Sequence, residues 1–242
     1  MSLANKEYFW LDIVSPSIGL DRVNKAGLSI IILDMKRLLS LTKVFSHIID
    51  FRSRFTAIHS EGVAAVAETL AKFAGFSERE CQMMRIAGYL HDLGKLAVPT
   101  EILEKPSRLT EDEFNIIRSH TYHTFRVLEP IRGFEIINTW ASLHHERMDG
   151  SGYPFHYDRY SLPLGSRIMA VADVFTAIIE DRPYRRGMNG REALKVLQGM
   201  ARNLALDPDI VKLVEYHFDE INFVQKSIEK DLLSEYHKVV TL

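Results

Sequence analysis

The chain has 242 residues, 46% of them hydrophobic and 26% charged, with one cysteine; these proportions exclude collagenous, disordered and disulfide-scaffold classes. Thirty Lys and Arg against 32 Asp and Glu leave no global attraction for nucleic acid or an acidic membrane surface, so an anionic substrate must be held by local positive charge. The longest nearly pure apolar run, Leu28 to Leu33, is far short of the ~20 residues of a membrane-spanning helix. No positively charged signal start precedes it, and Cys81 has no internal disulfide partner, so a cytoplasmic location without membrane insertion is expected.

Nearly every apolar pattern has helical period and none alternates strictly, which predicts an all-α fold. Residues 1–45 read as a separate helical segment or the remnant of an upstream module. Ser15-Pro16 is a break, and Ile31, Leu38, Leu41 and Phe45 form a helical stripe. Met1-Ser2-Leu3 has the look of an expression scar, and the chain is expected to be truncated or minimal. From Thr56 onward Val63, Val66, Ala67, Leu70 and Ala74 define a helix that carries His59 on the same face one turn earlier. Ser77 with Glu80 is a capping box, and Cys81, Met84, Gly88 and His91 follow on one stripe. That helix is expected to stop at Gly94, with Pro99 fixing the exit. Lys105-Pro106-Ser107 is a loop. Thr110 with Glu113 caps a helix predicted to end near His120. A further helix carries Ile137, Trp140, Ala141 and His144 before Asp149 to Pro154, which no helix passes through. Helices over Ser166 to Ile179, Glu192 to Met200 and Asp209 to Phe218 complete a central unit of residues 46–218, and 219–242 form a polar helical tail.

Six of the ten His fall between His59 and His145. His91-Asp92 delivers an imidazole and a carboxylate where a helix ends, with the Lys95 ammonium beside them. Such a pair is a ligand set for Zn, Fe or Mn, or else a satisfied buried hydrogen bond. Adjacent helical residues point about 100° apart, so His144 and His145 serve one site only if it is concave or polynuclear; otherwise one ring faces solvent. Asp173 sits among Met169, Ala170, Val171, Ala172 and Phe175, and a carboxylate buried there needs a cation, either a metal or Arg182. With His59 and His120 the set has seven candidate ligands on facing helices, a recurring way for bundles to build metal sites. His47, His123, His156, His217 and His237 are assigned to surface or packing.

His91-Asp92-Leu93-Gly94-Lys95, followed about fifty residues later by His144-His145-Glu146-Arg147-Met148-Asp149-Gly150-Ser151-Gly152-Tyr153-Pro154, resembles the HD-GYP subgroup of the HD phosphohydrolase superfamily. The likeness continues through Ala172-Asp173 and Arg182-Pro183-Tyr184-Arg185, spanning roughly Phe51 to Asp207, about two-thirds of the chain. It implies an HD-type helical bundle with additional N- and C-terminal helices that hydrolyses bacterial cyclic di-GMP to pGpG or GMP. By resemblance the metal ligands are His59, His91, Asp92, His120, His144, His145 and Asp173. Asp92 would bridge two divalent ions, Fe or Mn, with Zn also suited. Lys95 would steady charge on the scissile phosphate, and a metal-activated hydroxide would attack. Arg182 and Arg185 would hold substrate phosphate or guanine, unless Arg182 merely pairs with Asp181 or caps a helix.

Some members carry a Glu one turn before the first ligand His that supports a third metal; Phe55 stands there and cannot coordinate, so two ions are expected. Thr176 stands where many members have an acidic residue. The Gly150 to Pro154 loop is either a structural turn or a surface that shapes substrate access or docks a regulatory module or protein partner, and a homodimer is compatible with the sequence. No DNA or RNA duplex is expected as partner. The alternatives are a phosphohydrolase for another nucleotide or cyclic dinucleotide, such as a cyclic GMP-AMP, and a cyclic-dinucleotide-binding signalling module that does not turn over.

Overall fold

The computed structural model describes residues 33–51, 59–181 and 186–240, and among these there is no β-strand, only an isolated bridge between Asp149 and Asp158. Ten α-helices follow in chain order: α1 (Met35–Phe51), α2 (His59–Phe73), α3 (Glu78–Leu90), α4 (Thr100–Leu103), α5 (Glu111–Leu128), α6 (Glu135–Ser142), α7 (Leu164–Ile179), α8 (Gly190–Arg202), α9 (Pro208–Tyr216) and α10 (Phe218–Val240). A 3-10 turn, Leu93–Ala97, joins α3 to α4. The all-α expectation holds.

Local chemistry sets the helix starts. Ser77 Oγ accepts from Glu80 N at 3.3 Å while Ser77 N donates to the Glu80 carboxylate at 2.8 Å, and Thr110 and Glu113 repeat this at the head of α5. Each box satisfies two amides that a helix start leaves without partners. Asn189 and Glu192 form a third box at α8, a pairing the sequence reading passed over.

The core lies between α2, α3 and α7, closed by α6, α8, α9 and α10. Val63, Val66 and Leu70 of α2 meet Met84 and Ile86 of α3 and Ile168, Met169 and Phe175 of α7. Two glycines set the spacing. A Cβ on Gly88 would overlap the Ala64 backbone, so α2 and α3 touch main chain to main chain. A Cβ on Gly94 would overlap the His120 carbonyl, which brings the 3-10 turn against α5. Ile221 and Gln225 of α10 are fully buried, and Leu38 and Leu39 of α1 pack on the core.

Three local expectations need correction. Helix α3 ends at Leu90, before Gly94, which lies inside the 3-10 turn and serves close approach rather than termination. Helix α5 runs on to Leu128, because nothing in the sequence breaks it before Pro130 and Thr121, Thr124 and Leu128 are buried; His120 is therefore mid-helix. Helix α6 stops at Ser142, so His144 and His145 sit in the turn beyond it.

Candidate metal centre

Three helices and two helix-end turns bring the seven candidate ligands to one place. His59 opens α2, Asp173 lies in α7 and His120 in α5, while His91-Asp92 and His144-His145 follow the ends of α3 and α6. His59 Nε2 is 3.0 Å from Asp173 Oδ1. His91 Nε2 is 3.3 Å from Asp92 Oδ2 and 4.0 Å from Asp173 Oδ1. His120 Nε2 lies 3.3 Å from Asp92 Oδ1 and 3.4 Å from His144 Nε2. His145 Nδ1 is 3.9 Å from Asp173 Oδ2. The rings of His144 and His145 stand 4.1 Å apart, centre to centre, both turned to the site. The tight turn after α6 thus removes the divergence that two successive helical positions would impose.

Backbone carbonyls orient three of the imidazoles. His91, His120 and His144 each place Nδ1 at 2.7 Å from the carbonyl oxygen three residues earlier, of Gly88, Ile117 and Ala141. With Nδ1–H donated there, Nε2 is left as a lone-pair donor facing the cluster. The turn that carries His91-Asp92 is clasped to α5 by Thr124, whose buried hydroxyl accepts from Gly94 N at 2.9 Å and donates to the His91 carbonyl at 3.0 Å.

The charges follow from burial and proximity. Burial works against ionisation of Asp92, but Lys95 and His91 outweigh it and hold the carboxyl well below its ordinary value. Lys95 Nζ donates to Asp92 Oδ2 at 2.6 Å. Burial pushes His120 down to about 3 and His144 well below the usual imidazole range, reinforced for His144 by His145, so both rings are neutral near pH 7. For His59 burial is overcome by its hydrogen bond with Asp173 and by the Glu180 carboxylate at its other nitrogen, which lift it to about 10.

The donor set fits divalent cations. Three overlapping groups, His59/His91/Asp173, His91/Asp92/His144 and His120/His144/His145, each place three ligand atoms within 4.8 Å of one another. His91 Nε2 is buried without a hydrogen bond, the condition of an imidazole lone pair shaped for a metal. Asp92 belongs to one group while its other oxygen faces His120, which suits a carboxylate shared by two ions. The His145 side chain is 31% exposed and Lys95 is partly exposed, whereas the other six are nearly covered, so the cluster opens to solvent on that side.

Glu146, third in the His-His-Glu run, does not join the cluster. It is buried and accepts from Phe155 N at 2.6 Å and Tyr157 N at 3.1 Å, shaping the loop that brings the Tyr153 ring to 5.0 Å from His145. The sequence reading missed two carboxylates. Asp50 of α1 accepts from Ser60 N and Oγ at 3.1 and 2.6 Å, and thereby caps the start of α2 beside His59. Glu180, after α7, lies 3.4 Å from His59 Nδ1. Phe55, Arg182 and Arg185 lie outside the described residues. No helix among the described residues is long and apolar enough to cross a membrane.

A 3'3'-cGAMP-specific phosphodiesterase of Vibrio cholerae is 35% identical over 182 residues, 75% of this chain and 42% of its own length. A cyclic di-GMP phosphodiesterase of Pseudomonas aeruginosa is 40% identical over 142 residues, 58% of this chain and 34% of that protein. The chain therefore spans less than half the length of these relatives. An HD-GYP protein of Bdellovibrio bacteriovorus shares the fold, with a TM-score of 0.55, 13% identity, and coverage of 81% of this chain and 65% of that one. The profile of the HD domain matches residues 43–210, a stretch that contains all seven clustered side chains, and the chain belongs to the HD domain family.

Proposed function

We propose that the chain is a metal-dependent phosphodiesterase that opens a bacterial cyclic dinucleotide, with cyclic di-GMP as substrate and pGpG or GMP as product. The observation that carries this reading is the convergence of five imidazoles and two carboxylates on a mostly buried cluster with one solvent-facing side. In it His59, His91, Asp92, His120, His144, His145 and Asp173 would hold two divalent ions, Fe or Mn. Two such ions supply Lewis acidity toward a phosphodiester oxygen and a water acidified toward neutral pH.

The chain's own groups do the rest. Lys95, on the exposed side and already hydrogen-bonded to Asp92, offers an ammonium to the phosphoryl oxygens as negative charge builds. Arg182 and Arg185 supply guanidinium forks for substrate phosphate or guanine. No side chain serves as nucleophile. The names of the relatives support both cyclic di-GMP and 3'3'-cGAMP as substrate classes, so both are assayed together.

The test is hydrolysis by anaerobically purified protein loaded with Fe(II) or Mn(II), with metal content measured on the same sample. Turnover of cyclic di-GMP with about two ions per chain is expected. Faster turnover of cGAMP would move the substrate, and absence of turnover on both with the centre filled would overturn the enzymatic reading in favour of a binding module.

A further inference from the structure

His59 is held differently from the three imidazoles that use a carbonyl. His91, His120 and His144 lean on a carbonyl three residues back in their own segment. His59 is the first residue of α2 as described. Its Nδ1 faces instead the carboxylate of Glu180, at 3.4 Å, with both residues buried. Glu180 stands just past the last residue of α7, two turns beyond Asp173, while His59 Nε2 is 3.0 Å from Asp173 Oδ1. The two nitrogens of this imidazole thus face two carboxylates from one helix and its cap, Nε2 in hydrogen-bond contact with Asp173 in the cluster and Nδ1 within ion-pair distance of Glu180 behind it.

We infer that Glu180 is the positioning residue of His59: it takes the Nδ1 proton, fixes the tautomer that aims Nε2 into the cluster, and strengthens that nitrogen as a donor. A carboxylate does this more strongly than a neutral carbonyl, since a full negative charge polarises the ring, and such supporting groups typically set metal affinity by about 10- to 100-fold. The effect falls on one side of the cluster. His59 belongs to the group with His91 and Asp173 and not to the group of His120, His144 and His145, so of two ions only the one on the His59 side feels Glu180. The inference rests on the two-ion reading above.

The experiment strips the full chain with chelator and titrates it with Mn(II), following stoichiometry and stepwise affinity by calorimetry and by the electron paramagnetic resonance of free Mn(II). Wild type takes two ions. Glu180→Gln, which keeps size and loses charge, weakens one step by about 10-fold or more and leaves the other within about threefold; Glu180→Asp gives an intermediate loss. In a His59→Ala background Glu180→Gln leaves the stepwise affinities without a further change, because its effect on the ion passes through that ring. Unchanged affinity in Glu180→Gln, equal weakening of both steps, or an undiminished effect without His59 would each overturn the inference while leaving the two-ion phosphodiesterase standing. A wild type that binds no Mn(II) would overturn both.

Discussion

Thr124→Val tests how the turn carrying His91-Asp92 is held in place. The Thr124 hydroxyl is fully buried on α5, accepts from Gly94 N at 2.9 Å and donates to the His91 carbonyl at 3.0 Å. Valine matches the shape and removes both bonds, stranding an amide and a carbonyl that water cannot reach. Each stranded group costs about 1–3 kcal/mol, so the expected loss is about 2–6 kcal/mol out of a total stability of about 5–15 kcal/mol. For a chain of this size that lowers the thermal midpoint by about 5–15 °C. Urea unfolding of the chelated protein reads the loss as a lower midpoint at unchanged slope. Mn(II) titration reads the accompanying loss of affinity, since His91 and Asp92 flank the loosened turn. Thr124→Ser, which keeps the hydroxyl, stays within about 1.5 kcal/mol of wild type. A Thr124→Val protein within about 0.5 kcal/mol of wild type would refute the clasp.

Gly88→Ala drives a methyl into the Ala64 backbone and is expected to cost about 1–3 kcal/mol, read in the same urea assay; a neutral result would mean that α2 and α3 can part freely. His91→Ala with Asp92→Ala removes metal and hydrolysis while circular dichroism keeps its helical signal, and full turnover by this variant would sink the functional assignment. Chelation abolishes hydrolysis, and re-addition of Mn(II) at a hundred times its dissociation constant restores about 2.7 kcal/mol of stability by mass action at one site; calorimetry that shows no such shift would exclude binding to the folded state. Burial lifts the Asp50 carboxyl from near 3.8 to about 6 despite its Ser60 hydrogen bond. The folded chain therefore takes up a proton there before the unfolded chain does, and the chelated wild type gains stability relative to Asp50→Asn as pH falls from about 6 toward 4. A difference between the two proteins that stays constant over that window would disprove the shift.

Much of this architecture is legible one turn at a time, because capping boxes and apolar stripes are local. Ser77 with Glu80 and Thr110 with Glu113 could be read directly, and they recur as hydrogen bonds. Helix ends were harder. His120 had been expected near a terminus, but the absence of a breaker before Pro130 and the burial of Thr121 and Thr124 carry α5 onward. Gly94 signals a stop to a local reading, while in the fold its missing side chain lets the His120 carbonyl approach.

The centre divides along the same line. Its seven side chains could be listed from residue chemistry and spacing, because imidazoles and carboxylates at inward positions have few other uses. What could not be listed is what holds them. Thr124, Asp50 and Glu180 are ordinary residues in sequence, separated along the chain from His91, Ser60 and His59. Each acts only after packing of the bundle has closed that separation. Glu146 shows the converse: its place beside two clustered histidines suggests another ligand, yet the loop from Phe155 to Tyr157 folds back to donate its amides to that carboxylate. The carboxylate thereby becomes the scaffold of an edge of the cluster where, among the described residues, His145 and Lys95 meet solvent. A buried acceptor that ties down two amides of that loop thus supports the edge of the cluster instead of adding to its ligands.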